Sequence, residues 1–341
     1  MLSPSLQNPP VLKAYGIRLI AGTANRKLAE DISKWIGVPL LEADISTFAD
    51  GETKIQIKGD VRGTDAFIIQ PMSPPHVNDN LVELLLLINT LRLSSVKRVT
   101  VVCPYYGYAR QDQKVQARVP ISASAVARLM CSMEPHRLVT IDLHCGQIQG
   151  FFPPSIPVDN LFAENVLISY LLKNWGKHFP TVKSRDIVIV SPDAGGVSRA
   201  NRIAEKLQSS GVVTALKRRV EANKVESMEM VGDVRDKVCI IVDDMADTCG
   251  TLCKCVELLK ENGASEVFAC ITHGVFSRNA MEKIENSSLT KLFITDTISQ
   301  EKNMRSITKL QVVSVATLLS KAIKRIHNEQ SLSDLFNDWK Y

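Results

Sequence analysis

In Ile240-Ile-Val-Asp-Asp-Met-Ala-Asp-Thr-Cys-Gly-Thr251 an apolar run ends on two adjacent carboxylates and passes straight into a turn of small residues. Val238 to Val242 is apolar at every position, as a central parallel strand covered on both faces must be. Ligands of such sheets bind beyond the carboxyl ends of the strands, where Asp243 and Asp244 fall. Leu252 to Asn262 has helical apolar spacing and stops at Gly263, so Asp247, Thr248, Cys249, Gly250 and Thr251 open a helix. Free backbone N–H groups, hydroxyls and the positive end of the helix dipole suit a phosphate there. Carboxylates beside a phosphate repel it unless they face something else, and sugar hydroxyls are natural partners for them. The stretch describes a seat for a ribose phosphate.

Other stretches carry chemistry of a compatible kind. In Val190-Ser-Pro-Asp-Ala-Gly-Gly-Val197 a second apolar strand ends in a glycine-rich turn, which lets backbone N–H groups approach an anion closely; alone it also reads as a plain turn. Arg110-Gln111-Asp112 follows a strand and an aromatic turn, a place where guanidinium can meet phosphate bidentately or form an exposed salt bridge. Asp142-Leu-His144 sets a carboxylate and an imidazole on one side of a strand end, able to share a cation or to serve structure. Thr47-Phe-Ala-Asp-Gly-Glu-Thr53 alone reads as a surface hairpin, and Leu216-Lys-Arg-Arg-Val-Glu-Ala-Asn223 as a solvated basic run.

Taken together these stretches resemble class I ribose-phosphate pyrophosphokinase (PRPP synthetase), of the type I phosphoribosyltransferase fold. The resemblance runs from about residue 16 to 337 and includes Asn78-Asp-Asn80, Tyr105 to Asp112, Pro120-Ile-Ser122, Gln147 to Phe152, Gly232-Asp233 and Thr272-His-Gly274. It implies that Asp193, Gly195 and Gly196 hold the diphosphate being transferred, and that Arg110, Gln111 and Asp112 bind ATP. By the same resemblance Phe48, Asp50 and Glu52 hold adenine in a neighbouring subunit, which requires a homo-oligomer, a hexamer in this family. Lys217 and Arg219 fall on a mobile catalytic loop, where cations stabilise transition-state charge and exclude water. His144 is a catalytic and metal position, and Asp142 and Asp159 are further carboxylates for the Mg²⁺ that accompanies ATP.

Departures from the family pattern stand beside the matches. Phe152 is followed by Pro153-Pro-Ser155 where an Asp is common, which removes one metal carboxylate. Gln113-Lys-Val-Gln-Ala117 replaces a strongly charged segment, and Asp60 stands where a small hydroxyl residue is common. In animal-type members that region binds inhibitory ADP or activating phosphate, so weaker or different regulation is expected. Ser198 and Arg278-Asn279 also depart, and no physical reading attaches to them.

The elements that must position these residues alternate. Strands at Ile17–Ala21, Ala66–Gln70, Arg98–Cys103 and Arg137–Ile141 are separated by helices near 27–36, 80–93 and 122–133, and strands at Ile187–Val190, Val238–Val242, Val267–Ile271 and Leu292–Thr295 repeat the scheme. The expected fold is α/β, two similar doubly wound domains with central parallel sheets. The expected division is a disordered leader over 1–15, an ATP-binding domain over 16–160 and a ribose-5-phosphate domain over 161–326, with the tail from about 327 to 341 on the first; Pro153 to Pro157 is the most linker-like break.

With 341 residues, 45% hydrophobic and 23% charged, the chain can build two ordinary cores. The net charge of +5 is scattered and lacks aromatic interleaving, which speaks against nucleic acid. No apolar run reaches the ~18 residues of a membrane span. Several of the eight cysteines lie in apolar strands, with no Cys-x-x-Cys pair for zinc, and a reduced compartment is implied. The first ten residues lack a basic start and an apolar core, so a cytoplasmic protein is expected. Against an active enzyme stands a silent homologue that regulates active subunits, which would lack the loop cations or the ribose acids. A phosphoribosyltransferase would lack the ATP half.

Overall fold

A computed structural model describes residues 16–179, 182–218 and 227–337. The first half contains β1 (Ile17–Ala21), α1 (Arg26–Ile36), the hairpin β2 (Ala43–Thr47) and β3 (Thr53–Ile57), β4 (Asp65–Ile69), α2 (Val77–Leu93), β5 (Arg98–Val102), α3 (Ser122–Ser132), β6 (Arg137–Ile141) and β7 (Val158–Leu161). The second contains α4 (Glu164–Lys173), α5 (Trp175–His178), β8 (Ile187–Ser191), α6 (Val197–Leu207), β9 (Val212–Arg218), β10 (Ser227–Val231), β11 (Val238–Ala246), α7 (Gly250–Glu261), β12 (Glu266–Gly274), α8 (Ala280–Asn286), β13 (Lys291–Thr295), β14 (Leu310–Val313), α9 (Ala316–His327) and α10 (Ser333–Asn337).

Two sheets result. One is parallel throughout, in the order β1-β4-β5-β6-β7; the other runs β10-β9-β8-β11-β12-β13-β14, with only the β9–β10 pair antiparallel. Strand alternation explains why each sheet is apolar on both faces. Val238, Ile240 and Val242 enter one apolar cluster and Cys239 and Ile241 another, while on β5 Val102 faces one way and Val99 and Val101 the other. One cluster is common to both halves: it takes a face of each sheet together with α1, α4 and α9. The two doubly wound units are therefore packed on each other rather than tethered.

Helix limits follow local chemistry. Asn25 accepts from the Leu28 amide at 3.2 Å and caps α1, and Gly37, at φ +80, ends it. α9 buries Leu318, Leu319, Ala322 and Ile323 in the shared cluster that also holds Leu28 and Ile32, and Lys324 Nζ donates to Trp35 O at 3.0 Å. A segment expected with the second half thus packs on the first. The proline-rich break at Pro153 to Pro157 leads into β7, still within the first sheet, so it does not part the two halves.

Candidate active site

β11 is longer than its apolar run. Its pairing with β8 stops at Ile241, whereas its pairing with β12 continues to Ala246 opposite Gly274. Asp243 and Asp244 therefore lie inside the strand, on a stretch that projects past β8. The carboxylates are held there: the Asp244 amide donates to Asp243 Oδ1 at 2.9 Å, and Arg199 Nη1 stands 3.7 Å from Asp243 and 4.0 Å from Asp244. Beyond the strand, Cys249 adopts φ +57 and α7 begins at Gly250. Asp247 O accepts from the Ser277 amide and Thr248 O from Lys283 Nζ, which fixes the turn ahead of the helix while Thr251 enters its first residues.

The first half meets this turn directly. Arg110 Nη1 donates to Asp247 Oδ2 at 2.6 Å, and His144 Nδ1 donates to Asp244 Oδ2 at 2.7 Å. The Asp244 bond raises the basicity of His144 above 6.5, against burial and with help from Asp112 and Asp243. Burial opposes charge on Asp244, but His144 and Arg199 outweigh it and hold the carboxyl low; burial and the charge of Asp244 push Asp243 up. Asp112 thus belongs to the same neighbourhood. Gln111 is fixed beside it, accepting from Ser122 Oγ and from the Ala123 amide.

The glycine-rich turn is built as expected. Asp193 Oδ1 accepts from Gly196 N at 2.9 Å, and a Cβ on Gly196 would come within 2.6 Å of Ser191 Oγ, so any larger residue there must displace the Ser191 hydroxyl. Asp193, Ala194 and Gly195 are exposed at the end of β8. Phe48, Asp50 and Glu52 form the tip of the β2–β3 hairpin: Phe48 is 52% exposed, and Asp50 caps the Glu52 amide at 3.1 Å. A cavity of about 870 Å³ lies under that hairpin, walled by Thr23, Asn80, Glu83 and Phe276. Glu83 is buried there, accepting from Thr23 and Gln70.

Two expectations need correction. Lys217 is not in a loop: it is in β9, in register with Met228 of β10, because the antiparallel return extends the strand into the basic run. Arg219 lies outside the described residues. Asp159 is not gathered with Asp142 and His144; it is ion-paired with Arg137 in a groove with Arg98 and His136. It stands two residues before Leu161, the residue whose carbonyl meets Asp142 N, so it is roughly 7 Å down the strand from the cleft. Among the described residues no three His, Cys, Asp or Glu side chains form a metal-holding group. Sequence reasoning overlooked Arg199, whose only signal is its place three residues after Gly196, and gave no role to Thr272 and His273.

Fold and cleft together define an α/β protein that handles phosphoribosyl groups. The N-terminal domain model of ribose phosphate pyrophosphokinase matches residues 17–133, and the phosphoribosyl synthetase-associated domain model matches residues 211–337. Ribose-phosphate pyrophosphokinase A of Dictyostelium discoideum is 46% identical over 95% of this chain and 99% of its own length, and the Thermotoga maritima ribose-phosphate pyrophosphokinase is 46% identical over 94% and 98%. The crystal structure of phosphoribosylpyrophosphate synthetase from Mycobacterium smegmatis superposes with a TM-score of 0.84 at 37% identity, over 92% of this chain and 99% of that one. The chain belongs to the ribose-phosphate pyrophosphokinase family.

Proposed function

We infer that the cleft between Arg110–His144 and Asp243–Thr251 is where this chain carries out its family's reaction. The β,γ-diphosphoryl group of ATP passes to the C1 hydroxyl of ribose 5-phosphate, giving 5-phosphoribosyl 1-diphosphate and AMP. The observation that carries this reading is the 2.6 Å bond from Arg110 to Asp247, which sets the expected ATP segment against the expected phosphate turn. The silent-homologue alternative has no support among relatives that are themselves named as enzymes.

In this reading the 5-phosphate sits on the amides of Thr248 to Thr251 and the ribose hydroxyls face Asp243 and Asp244. Asp193, Gly195 and Gly196 receive the diphosphoryl group, while Arg110, Gln111 and Asp112 orient ATP. The C1 hydroxyl attacks the β-phosphorus and the bond to the α-phosphate oxygen breaks, so that AMP leaves. Positioning and charge neutralisation carry most of such a step, with Lys217 and Arg219 as the cations that act mainly in the transition state. Mg²⁺ enters bound to ATP, as part of the substrate. The set Asp142, His144 and Asp159 does not fit a resident ion, since Asp159 is engaged by Arg137; His144 and Asp112 remain the groups nearest to a metal triphosphate.

Residues 16–160 would serve ATP and residues 161–326 the ribose phosphate. The exposed hairpin tip with Phe48, Asp50 and Glu52 would complete the adenine site of a second copy, which makes the active form a homo-oligomer, a hexamer by family likeness. Among the described residues no helix is long and apolar enough to cross a membrane, and a cytoplasmic location accords with the reading. The test is an assay of the purified full chain with ribose 5-phosphate and MgATP. Equal amounts of AMP and phosphoribosyl diphosphate are expected; folded, assembled protein that forms neither would overturn the reading.

A further inference from the structure

Asp142 closes β6 at φ +41, a left-handed conformation that non-glycine residues seldom occupy. Such strain persists only where the surroundings over-determine it. Asp142 N donates to Leu161 O at 2.8 Å, and the Ala163 amide donates to Asp142 Oδ2 at 3.1 Å. Thr272 Oγ1 donates to the same Oδ2 at 2.6 Å, and His273 Nε2 donates to Ile141 O at 3.0 Å and to Asp142 O at 3.2 Å. Thr272 and His273 belong to β12, in the opposite half.

The imidazole is itself fixed. His273 is buried, its Nδ1 accepts from Thr297 Oγ1 at 2.9 Å, and the Tyr105 ring meets it edge-on at 5.0 Å. Burial lowers its basicity, so the neutral ring keeps its hydrogen on Nε2, facing the two carbonyls. β12 also sets the register of the catalytic stretch of β11, pairing Asp243 with Ile271 and Met245 with His273. A single strand therefore places both the ribose acids and, through Asp142, the turn that carries His144.

We propose that Asp142, Thr272 and His273 form a positioning device that holds His144 against Asp244, and that Asp142 is not a metal ligand. Its Oδ2 is already shared by a hydroxyl and an amide, and its left-handed φ of +41 turns the chain two residues ahead of His144. The proposal rests on the cleft being the catalytic site. Loss of one clamp bond lets His144 drift, and a misplacement near 1 Å costs about a hundredfold in rate.

The experiment compares full-length wild type with Thr272→Val, Thr272→Ser, Asp142→Asn and the Thr272→Val/Asp142→Asn double variant, with His273→Gln in reserve should Thr272→Val not fold. Steady-state rates, the Mg²⁺ dependence at fixed ATP and amide exchange over 142–146 are measured for each. Thr272→Val should lower kcat by about tenfold to a hundredfold, with little change in the ribose 5-phosphate KM and with faster exchange over 142–146, whereas Asp142→Asn, which keeps one oxygen able to accept from Thr272 and Ala163, should lose less. Serine should rescue, and the double variant should be no worse than the poorer single one. A Mg²⁺ requirement raised in Asp142→Asn but not in Thr272→Val would overturn the proposal, as would additive losses or a lower melting temperature with unchanged kcat. Wild type that forms no AMP would sink the functional reading instead, while the exchange comparison would still decide the device.

Discussion

His144 and Asp244, one from each half of the molecule, are joined by a 2.7 Å hydrogen bond from Nδ1 to Oδ2. The bond raises His144 and, against burial, lowers Asp244, while burial and the charge of Asp244 raise Asp243. The signs differ. Asp244 contributes stability above its ordinary 3.8 that is lost as pH falls through its lowered value. His144 contributes stability that is complete below 6.5 and lost as pH rises through its raised value. Asp243 binds a proton more readily folded than unfolded, so its ionisation removes stability as pH climbs above 3.8. Asp243→Asn should therefore lose less melting temperature than the wild type between about pH 5 and about pH 8. Calorimetry of both proteins across that range checks this, and a variant that declined as steeply as the wild type would refute it.

The acids should also separate the substrates. Asp243 faces the cleft with Arg199 as its cationic neighbour, whereas Asp244 is tied to His144. Asp243→Asn is expected to weaken ribose 5-phosphate by severalfold up to about tenfold, the worth of one ordinary hydrogen bond, with the ATP affinity nearly unchanged. Asp244→Asn should weaken ribose 5-phosphate and lower kcat as well, since it releases His144. Titration calorimetry with each substrate would expose an equal loss for both ligands in Asp243→Asn, which would mean general damage to β11.

Arg110→Gln distinguishes a latch from a staple. Its bond to Asp247 is short, but the guanidinium is 52% exposed, and pairs of that kind contribute about 0–1 kcal/mol. The melting temperature should then move by only a few degrees at most. Activity should suffer more if, as proposed, Asp247 opens the turn that seats the phosphate and Arg110 belongs to the segment that binds ATP. A kcat/KM for ATP within about twofold of wild type would place Arg110 outside the site.

Much of this was legible before any coordinates. Continuous apolar runs bounded by turns disclosed the central strands, and the residue types at Asp243 to Thr251 and Asp193 to Gly196 marked the two strand-end turns that the structure shows. The basic end of β9 was illegible: Lys217 and Arg218 lie where β10 returns, and charged residues there obscure the period of two that Val213 and Ala215 begin. Arg199 looks like a solvated residue of an amphipathic helix until α6 is laid beside β11. Asp159 failed for a geometric reason, since a motif match carries no measure of distance along the strand. The clamp by Thr272 and His273 joins residues some 130 positions apart, and no local pattern announces it.

The last prediction concerns control. The resemblance places an effector site for phosphate and ADP near Asp60 and the C-terminal serines. Ser331 and Ser333 do line a groove of about 700 Å³ with Arg98, His136 and Arg137. Its guanidinium groups are engaged: Arg98 pairs with buried Asp65 and with Glu329, and Arg137 pairs with Asp159. An anion entering the groove must compete with those carboxylates. Asp159 and Glu329 line the groove themselves, and a like charge about 4 Å from an anion costs on the order of 1–4 kcal/mol between the dielectrics of water and a protein surface, enough to weaken an effector about fivefold or more. Asp60, exposed and capping the Arg62 amide at 3.0 Å, is not among the lining residues, but it stands where a hydroxyl donor is common. This enzyme should therefore depend little on phosphate and resist allosteric ADP, leaving mainly competition at the ATP site, and Asp60→Ser should restore part of the response. Inhibition by ADP that saturating ATP cannot relieve, together with an absolute need for phosphate in the wild type, would show instead that the groove binds anions in spite of its acids.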